Sequence, residues 1–189
     1  MDSNPQTSIL RRMKTYLYIA LALLVIACKP QNTPTTPDTT MQADSVYTTA
    51  DFRAYGDHYN SGHQIYAIDL LSEGLTYDST WHISGSGYNL YLSDVIVHKD
   101  STKRLPEGTY YMDSVATENT FLRGMQFEGN VTGTYLLEIK DNLMQRITLF
   151  TSGVMTIAYE QQNILLDFTL YTADSVCYRA TYNGPAQYR

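Results

Sequence analysis

The sequence predicts an all-β protein whose antiparallel hairpins pack as a β-sandwich, with a closed barrel as the alternative. Three observations predict it. Apolar and polar residues alternate with period two, most clearly where Ile164, Leu166, Phe168 and Leu170 interleave with Leu165, Asp167, Thr169 and Tyr171. Turn chemistry recurs between such runs at intervals of roughly 8–10 residues, as consecutive hairpins require. No segment carries a capped apolar stripe of helical period. An antiparallel sheet of this extent must bury one face and manage its edges, and the sandwich is the preferred solution here.

The chain has 189 residues, room for one domain and a tail. Its first element is an address rather than part of the fold. Arg11, Arg12 and Lys14 precede an uncharged apolar run from Thr15 to Ala27. Thirteen residues span about 20 Å as a helix, short of the roughly 20 residues a membrane crossing needs. Residues 1–27 therefore read as a signal peptide, with Met13 an alternative start to Met1. The run ends in Val25-Ile26-Ala27-Cys28, which resembles the lipobox of bacterial lipoprotein signal peptides. That resemblance implies cleavage before Cys28, diacylglycerol on its sulfur and a further acyl chain, such as palmitate, on its new amino group. Several chains on one residue meet the two-signal requirement for stable anchoring. Lys29, being other than Asp, implies by resemblance to enteric sorting rules the outer membrane. Periplasmic and surface-exposed orientations both stay open.

Residues 28–46 are the lipidated Cys and its tether. Pro30, Pro34 and Pro37 alternate with threonines and almost no large apolar groups, so the segment cannot bury enough surface to offset ordering. Extended at ~3.1 Å per residue, it reaches about 55 Å. The domain is residues 47–189. With Cys28 acylated, Cys177 is the one remaining thiol and no disulfide forms within the mature chain. Net charge is −6, and cleavage before Cys28 removes three basic residues and one acidic residue, making the product more acidic still. No basic footprint for nucleic acid exists.

Predicted strands run over 64–72, 88–98, 109–113, 133–140, 145–151, 154–160, 164–171 and 176–182. Asp141-Asn142, Ser152-Gly153, Gln162-Asn163 and Ala173-Asp174-Ser175 supply turns. Thr120–Phe127 is a strand or a short helical turn. Gly108-Thr109-Tyr110 recurs as Gly133-Thr134-Tyr135, and Ala180-Thr181-Tyr182-Asn183-Gly184-Pro185 varies the theme. With Ser152-Gly153-Val154, these motifs resemble exported lipoproteins of Bacteroidales-type gut anaerobes. The resemblance covers about residues 88–188, implies an all-β exported domain and brings no catalytic residues. Asp-Ser and Asp-Thr triplets, such as Asp78-Ser79-Thr80 and Asp113-Ser114-Val115, resemble an O-glycosylation sequon of those bacteria and are equally ordinary turn residues.

Catalytic motifs are missing. Ser84-Gly85-Ser86-Gly87 lacks the leading glycine and following helix of a nucleophile elbow, and the run from Gly85 fails the dinucleotide pattern at Leu90. Both read as a turn. His58 and His63, with Asp51 and Asp57 near, have the residue types of a metal site. Their spacing does not put both imidazoles on one strand face, so no metal and no cofactor is expected. Asp69, Glu73, Asp78, Asp94, Glu138 and Asp167 are acids that no spacing pairs for glycoside cleavage. The expectation is a non-catalytic envelope lipoprotein.

Tyrosine is the outlier, at 17 residues against one tryptophan. Its ring suits half-buried strands and also offers a flat apolar face with a polar edge to sugars and partners. Trp81, Tyr88 and Tyr91, with Asn89 and Asp94, are the candidate binding residues. Tyr88 and Tyr91 are an odd number apart and face opposite sides of a regular strand. The expected partners are the membrane through Cys28, and a glycan or envelope protein; the alternative role is an accessory subunit of an outer-membrane assembly.

Overall fold

Period-two alternation becomes strand almost everywhere in the computed structural model, which describes residues 45–99 and 104–189, with side chains from Tyr47 onward. The expected signal peptide, Cys28 and the expected tether up to residue 44 lie outside the described residues, whereas Ser45 and Val46, expected in the tether, are paired into the sheet. The strands are β1 (Ser45–Gly56), β2 (His63–Ser72), β3 (Leu75–Tyr77), β4 (Ile83–Gly85), β5 (Gly87–His98), β6 (Gly108–Asp113), β7 (Thr120–Leu122) and β8 (Met125–Phe127). They continue as β9 (Asn130–Thr132), β10 (Thr134–Lys140), β11 (Leu143–Leu149), β12 (Ser152–Glu160), β13 (Asn163–Tyr171), β14 (Cys177–Pro185) and β15 (Gln187–Tyr188). No helix occurs among the described residues. β1 takes in Ser45 and Val46, ahead of the expected domain start at Tyr47, and Thr120–Phe127 resolves into β7 and β8.

The all-β expectation holds, and the sheet takes the barrel closure rather than the preferred sandwich. Neighbours run β5-β2-β1-β14-β13-β12-β6-β7, and β7 returns to β5. Two antiparallel meanders, β1-β2-β5 and β12-β13-β14, are joined on one side by a parallel β1–β14 pairing. On the other side β6 lies against β12, runs parallel to β7, and β7 meets β5 at Ile96 and Thr120. Closure gives each of the eight ring strands a neighbour on both sides, which a sandwich would not. The β10–β11 hairpin extends outward from the first half of β5. Its Asp141-Asn142 turn has both residues at positive φ, 53° and 64°, the geometry of a two-residue hairpin turn.

An eight-stranded barrel has a lumen just wide enough to be filled by side chains. Here Tyr47, Phe52, Tyr66, Tyr110, Phe121, Phe150, Phe168, Tyr178 and Tyr182 fill it with aliphatic residues from every wall. Four of the inward tyrosines, Tyr47, Tyr110, Tyr178 and Tyr182, remain tolerable because their hydroxyls are bonded. Tyr47 and Tyr178 share a buried 2.6 Å hydrogen bond, Tyr110 donates to the Pro106 carbonyl at 3.0 Å, and Tyr182 donates to the Pro185 carbonyl at 2.8 Å. At one mouth, the Tyr159 hydroxyl donates to the Leu105 carbonyl and the Leu105 N–H donates to Tyr188.

Two irregularities shape the outer wall. Between Tyr66 and Ile68 the β2–β5 register slips, so that Ser93 and Asp94 together stand where one residue would. Asp94 takes φ +49° there. This bulge keeps Leu90, Leu92, Val95 and Val97 all inward despite the change of parity, and aims Ser93 and Asp94 outward. The β3–β4 hairpin then folds over the outside, where Leu71, Leu75 and Ile139 form a second small core with Tyr77, Ile83 and Leu137. Covered on both faces, β2 is buried along Ile65–Ser72. Gly85 makes the hairpin's close approach possible: at φ +112°, any Cβ would overlap the Gly74 carbonyl oxygen.

Candidate functional site

One rank of residues crosses the outer wall from strand to strand. Asp51 on β1 stands opposite Asp69 on β2, Asp69 opposite Tyr91 on β5, and Tyr91 opposite Tyr135 on β10. Two carboxylates in direct cross-strand register repel. They are also buried, Asp51 to 1% and Asp69 to 4% exposure, which requires partners.

Arginines supply them. Arg53, two residues along β1 on the same face, donates from Nε to Asp51 at 3.1 Å and from a terminal nitrogen to Asp69 at 2.6 Å. Arg189 grips Asp51 with both Nε and a terminal nitrogen. Backbone bonds to β1 hold Arg189 in position for this grip, since its N–H donates to the Phe52 carbonyl and its carbonyl accepts from Ala54 N–H. Asn89 donates its amide to Asp69 and to the Leu70 carbonyl. Burial raises the Asp69 pKa, while Asn89 and Arg53 pull against that rise.

Aromatic rings roof this network. The β3–β4 turn is set by Asp78, whose Oδ1 accepts from the N–H groups of Thr80 at 2.7 Å and His82 at 3.0 Å. Trp81, at φ +65°, projects from that turn and is 52% exposed. The Arg189 guanidinium lies 3.6 Å from its ring centroid, and Tyr77 packs against it at 5.6 Å. The Tyr77 hydroxyl is buried without an aligned hydrogen bond, and burial together with the Asp69 charge drives its pKa upward. Tyr91 and Tyr135 pack at 5.2 Å, and Arg53 lies 5.7 Å from the Tyr91 centroid.

Beside Tyr91 the wall opens into a pocket of about 230 Å³, lined by Tyr55, His58, Tyr59, Tyr91, Ser93 and Asp94. Tyr55 and Tyr59 are half exposed. Burial, then the Asp94 carboxylate, raises the Tyr59 pKa. The bulge on β5 and the turn after β1 create this pocket, and neither is legible in the sequence.

Of the sequence-derived candidates, Trp81 and Tyr91 flank the same Arg53–Asp51–Arg189 network on the outer wall. Tyr88 does not join them: it packs against the luminal core, and its N–H donates to Ser72 Oγ at 2.8 Å. Parity along β5 is the reason, since the bulge lies beyond both residues. Asn89 and Asp94 both face this wall, as a structural anchor and a pocket wall respectively.

The remaining chemistry is dispersed. His58 borders the pocket, whereas His63 pairs across strands with His98, and Glu118 stands 4.0 and 3.4 Å from the two imidazoles. Asp57 is occupied in its own turn, accepting from Ser61 and Gly62 N–H groups. Among the described residues, no group of three or more His, Cys, Asp or Glu is arranged to hold a metal. Asp78 and Asp113 cap local turns, and Glu138 pairs with Arg146 at 3.2 Å. Cys177 is buried and free. Comparison of the chain with protein-family models, with curated proteins and with solved structures yields no match.

Proposed function

We propose that this protein is a non-catalytic lipoprotein of the cell envelope, anchored in the outer membrane through Cys28, whose barrel binds glycans on its outer β1–β2–β5 wall. The tyrosine-lined pocket beside Tyr91 carries the reading. Its rings can stack on a sugar face while Asp94, Ser93 and the phenol hydroxyls bond its hydroxyls. The filled lumen supports an exterior site, because an eight-stranded barrel packed with its own aromatic residues offers no room for a carried ligand. Asp51 and Asp69, the paired acids on this wall, are engaged by arginines and Asn89, which favours a scaffold over an acid–base pair.

A glycan array probed with residues 43–189, alongside Tyr91→Ala and Tyr59→Ala variants, tests the reading. Selective signals that both substitutions remove would support it; a silent array would sink it. Protease accessibility on intact cells then separates surface from periplasmic display. An accessory role in an outer-membrane assembly is favoured by a separate feature: β11 pairs only with β10 among the described strands and exposes Leu143 and Met144.

A further inference from the structure

The pocket's chemistry narrows its ligand, an inference that rests on the glycan-binding reading of this wall. Three phenol rings, one imidazole, one hydroxyl and one carboxylate line it, with no lysine or arginine among them. Every other acid nearby is balanced. Asp51 and Asp69 are held by Arg53 and Arg189, and Asp57 by backbone N–H groups and Lys99 at 3.6 Å. Asp94 has no ion-pair partner among the described residues; it accepts from Ser93 Oγ at 3.3 Å and faces the Tyr59 phenol. The bulge holds it in the left-handed region and aims it into the pocket.

An unbalanced carboxylate set among tyrosine faces suits a cation. Ring faces carry the negative end of the aromatic quadrupole, and aromatic cages recognise ammonium groups by this means. A neutral sugar would find hydrogen bonds here but would leave the Asp94 charge unanswered. Arg53 does not serve as that cation, since its guanidinium is already bonded to Asp51 and Asp69. At about 230 Å³ the pocket falls below the roughly 300–1,000 Å³ of drug-sized sites, so it fits one ring or one head group. The acidic net charge of the chain, −6, raises the local concentration of cations.

We propose that the Tyr55–Tyr59–Tyr91–Asp94 pocket binds an organic ammonium group, carried either by an amino sugar or by a choline-type head group. Calorimetry on the full chain in a polyoxyethylene detergent, which contributes neither sugar nor phosphocholine, tests it at a pH of about 6.5, where the amine of glucosamine is protonated. The probes are glucosamine, N-acetylglucosamine, glucose and choline. The expected result is that glucosamine or choline binds about tenfold or more tighter than the two neutral sugars, a difference of about 1.4 kcal/mol. Asp94→Asn should remove the preference, and Tyr59→Ala, at a half-exposed position, should weaken every probe. Glucosamine above choline identifies the sugar source; the reverse identifies the head group. Equal binding of all three sugars, abolished by Tyr59→Ala, would overturn the ammonium proposal and leave the glycan reading standing. Ammonium binding indifferent to both substitutions, or no binding of any probe, would overturn the proposal as well. In the last case, array signals lost in Tyr91→Ala would show that the glycan reading survives without it.

Discussion

Replacing Arg53 with methionine removes the one described cation that touches both carboxylates of the outer rank while keeping an apolar stem of similar reach. Arg189 still grips Asp51 with two nitrogens, so the loss falls on Asp69. That side chain is 6% exposed and Arg53 is 31% exposed. Breaking a buried pair by deleting one partner costs roughly 3–5 kcal/mol, and the part-exposed guanidinium lowers the expectation to about 2–3 kcal/mol. The deficit should also depend on pH. Burial already raises the Asp69 pKa, and Arg53 opposes the rise, so the variant's pKa climbs further. A carboxyl whose folded pKa exceeds its unfolded value of about 3.9 contributes most stability below that value and loses it as pH rises through the folded pKa. The variant should therefore recover toward wild type as pH falls from about 7 to about 4. Urea unfolding followed by far-UV circular dichroism measures both quantities. Adding Asp69→Asn to Arg53→Met should restore most of the loss at neutral pH, since the amide oxygen can still accept from Asn89. A neutral-pH deficit below about 0.5 kcal/mol, typical of a surface pair, or one constant with pH, would refute the reasoning.

Three further outcomes are expected. Tyr47→Phe should destabilise the barrel by about 1–2 kcal/mol in urea unfolding, because it deletes a buried 2.6 Å hydroxyl bond to Tyr178 without changing the ring. Gly133→Ala should cost about 2 kcal/mol or more, read as a lowered melting temperature: the residue sits at φ +80° and its Cβ would overlap the Arg123 carbonyl. Cys28→Ala should abolish lipid labelling and move the protein out of the detergent phase; unchanged partitioning would reject the anchor.

How far the sequence can be read depends on which faces of each strand water can reach. β12, β13 and β14 have one buried and one wet face, so they show a clean alternation and are legible to within a few residues. β1 does not announce itself as a strand. Ala50 and Phe52 point into the lumen, but Asp51, Arg53 and Tyr55 on the other face read as a polar stretch. Their partners, Asp69 and Arg189, are far along the chain, and no local pattern announces a two-carboxylate, two-arginine network. Trp81 is visible as an aromatic residue near a turn, whereas its stacking on Arg189 depends on a hairpin folding over the wall. The opposition of Tyr88 and Tyr91 follows from parity alone, because the bulge lies beyond both. The pocket has no sequence signature, since it depends on that bulge and on Tyr55, His58 and Tyr59 reaching it across β2, from the end of β1 and the turn that follows.

The choice between sandwich and barrel decides where open surface is left for a ligand. Alternation specifies that each strand has an inner face, and both closures satisfy it equally. What separates them is long-range pairing: β1 runs parallel to β14, and β7, only three residues long, bridges β6 to β5. Once the sheet closes on eight strands, the inner faces converge on a lumen that large aromatic side chains fill. Five of the chain's tyrosines, Tyr47, Tyr66, Tyr110, Tyr178 and Tyr182, are thereby committed to the interior. Within the tyrosine excess, two populations thus obey different physics. The inner set fills volume and needs internal partners for its hydroxyls. The outer set, Tyr55, Tyr59, Tyr91 and Tyr135, lies on a wall where the bulge, the hairpin and the Arg189 strap leave rings partly uncovered beside Asp94, a carboxylate with no ion-pair partner among the described residues. On the reading proposed above, recognition is carried by that second population.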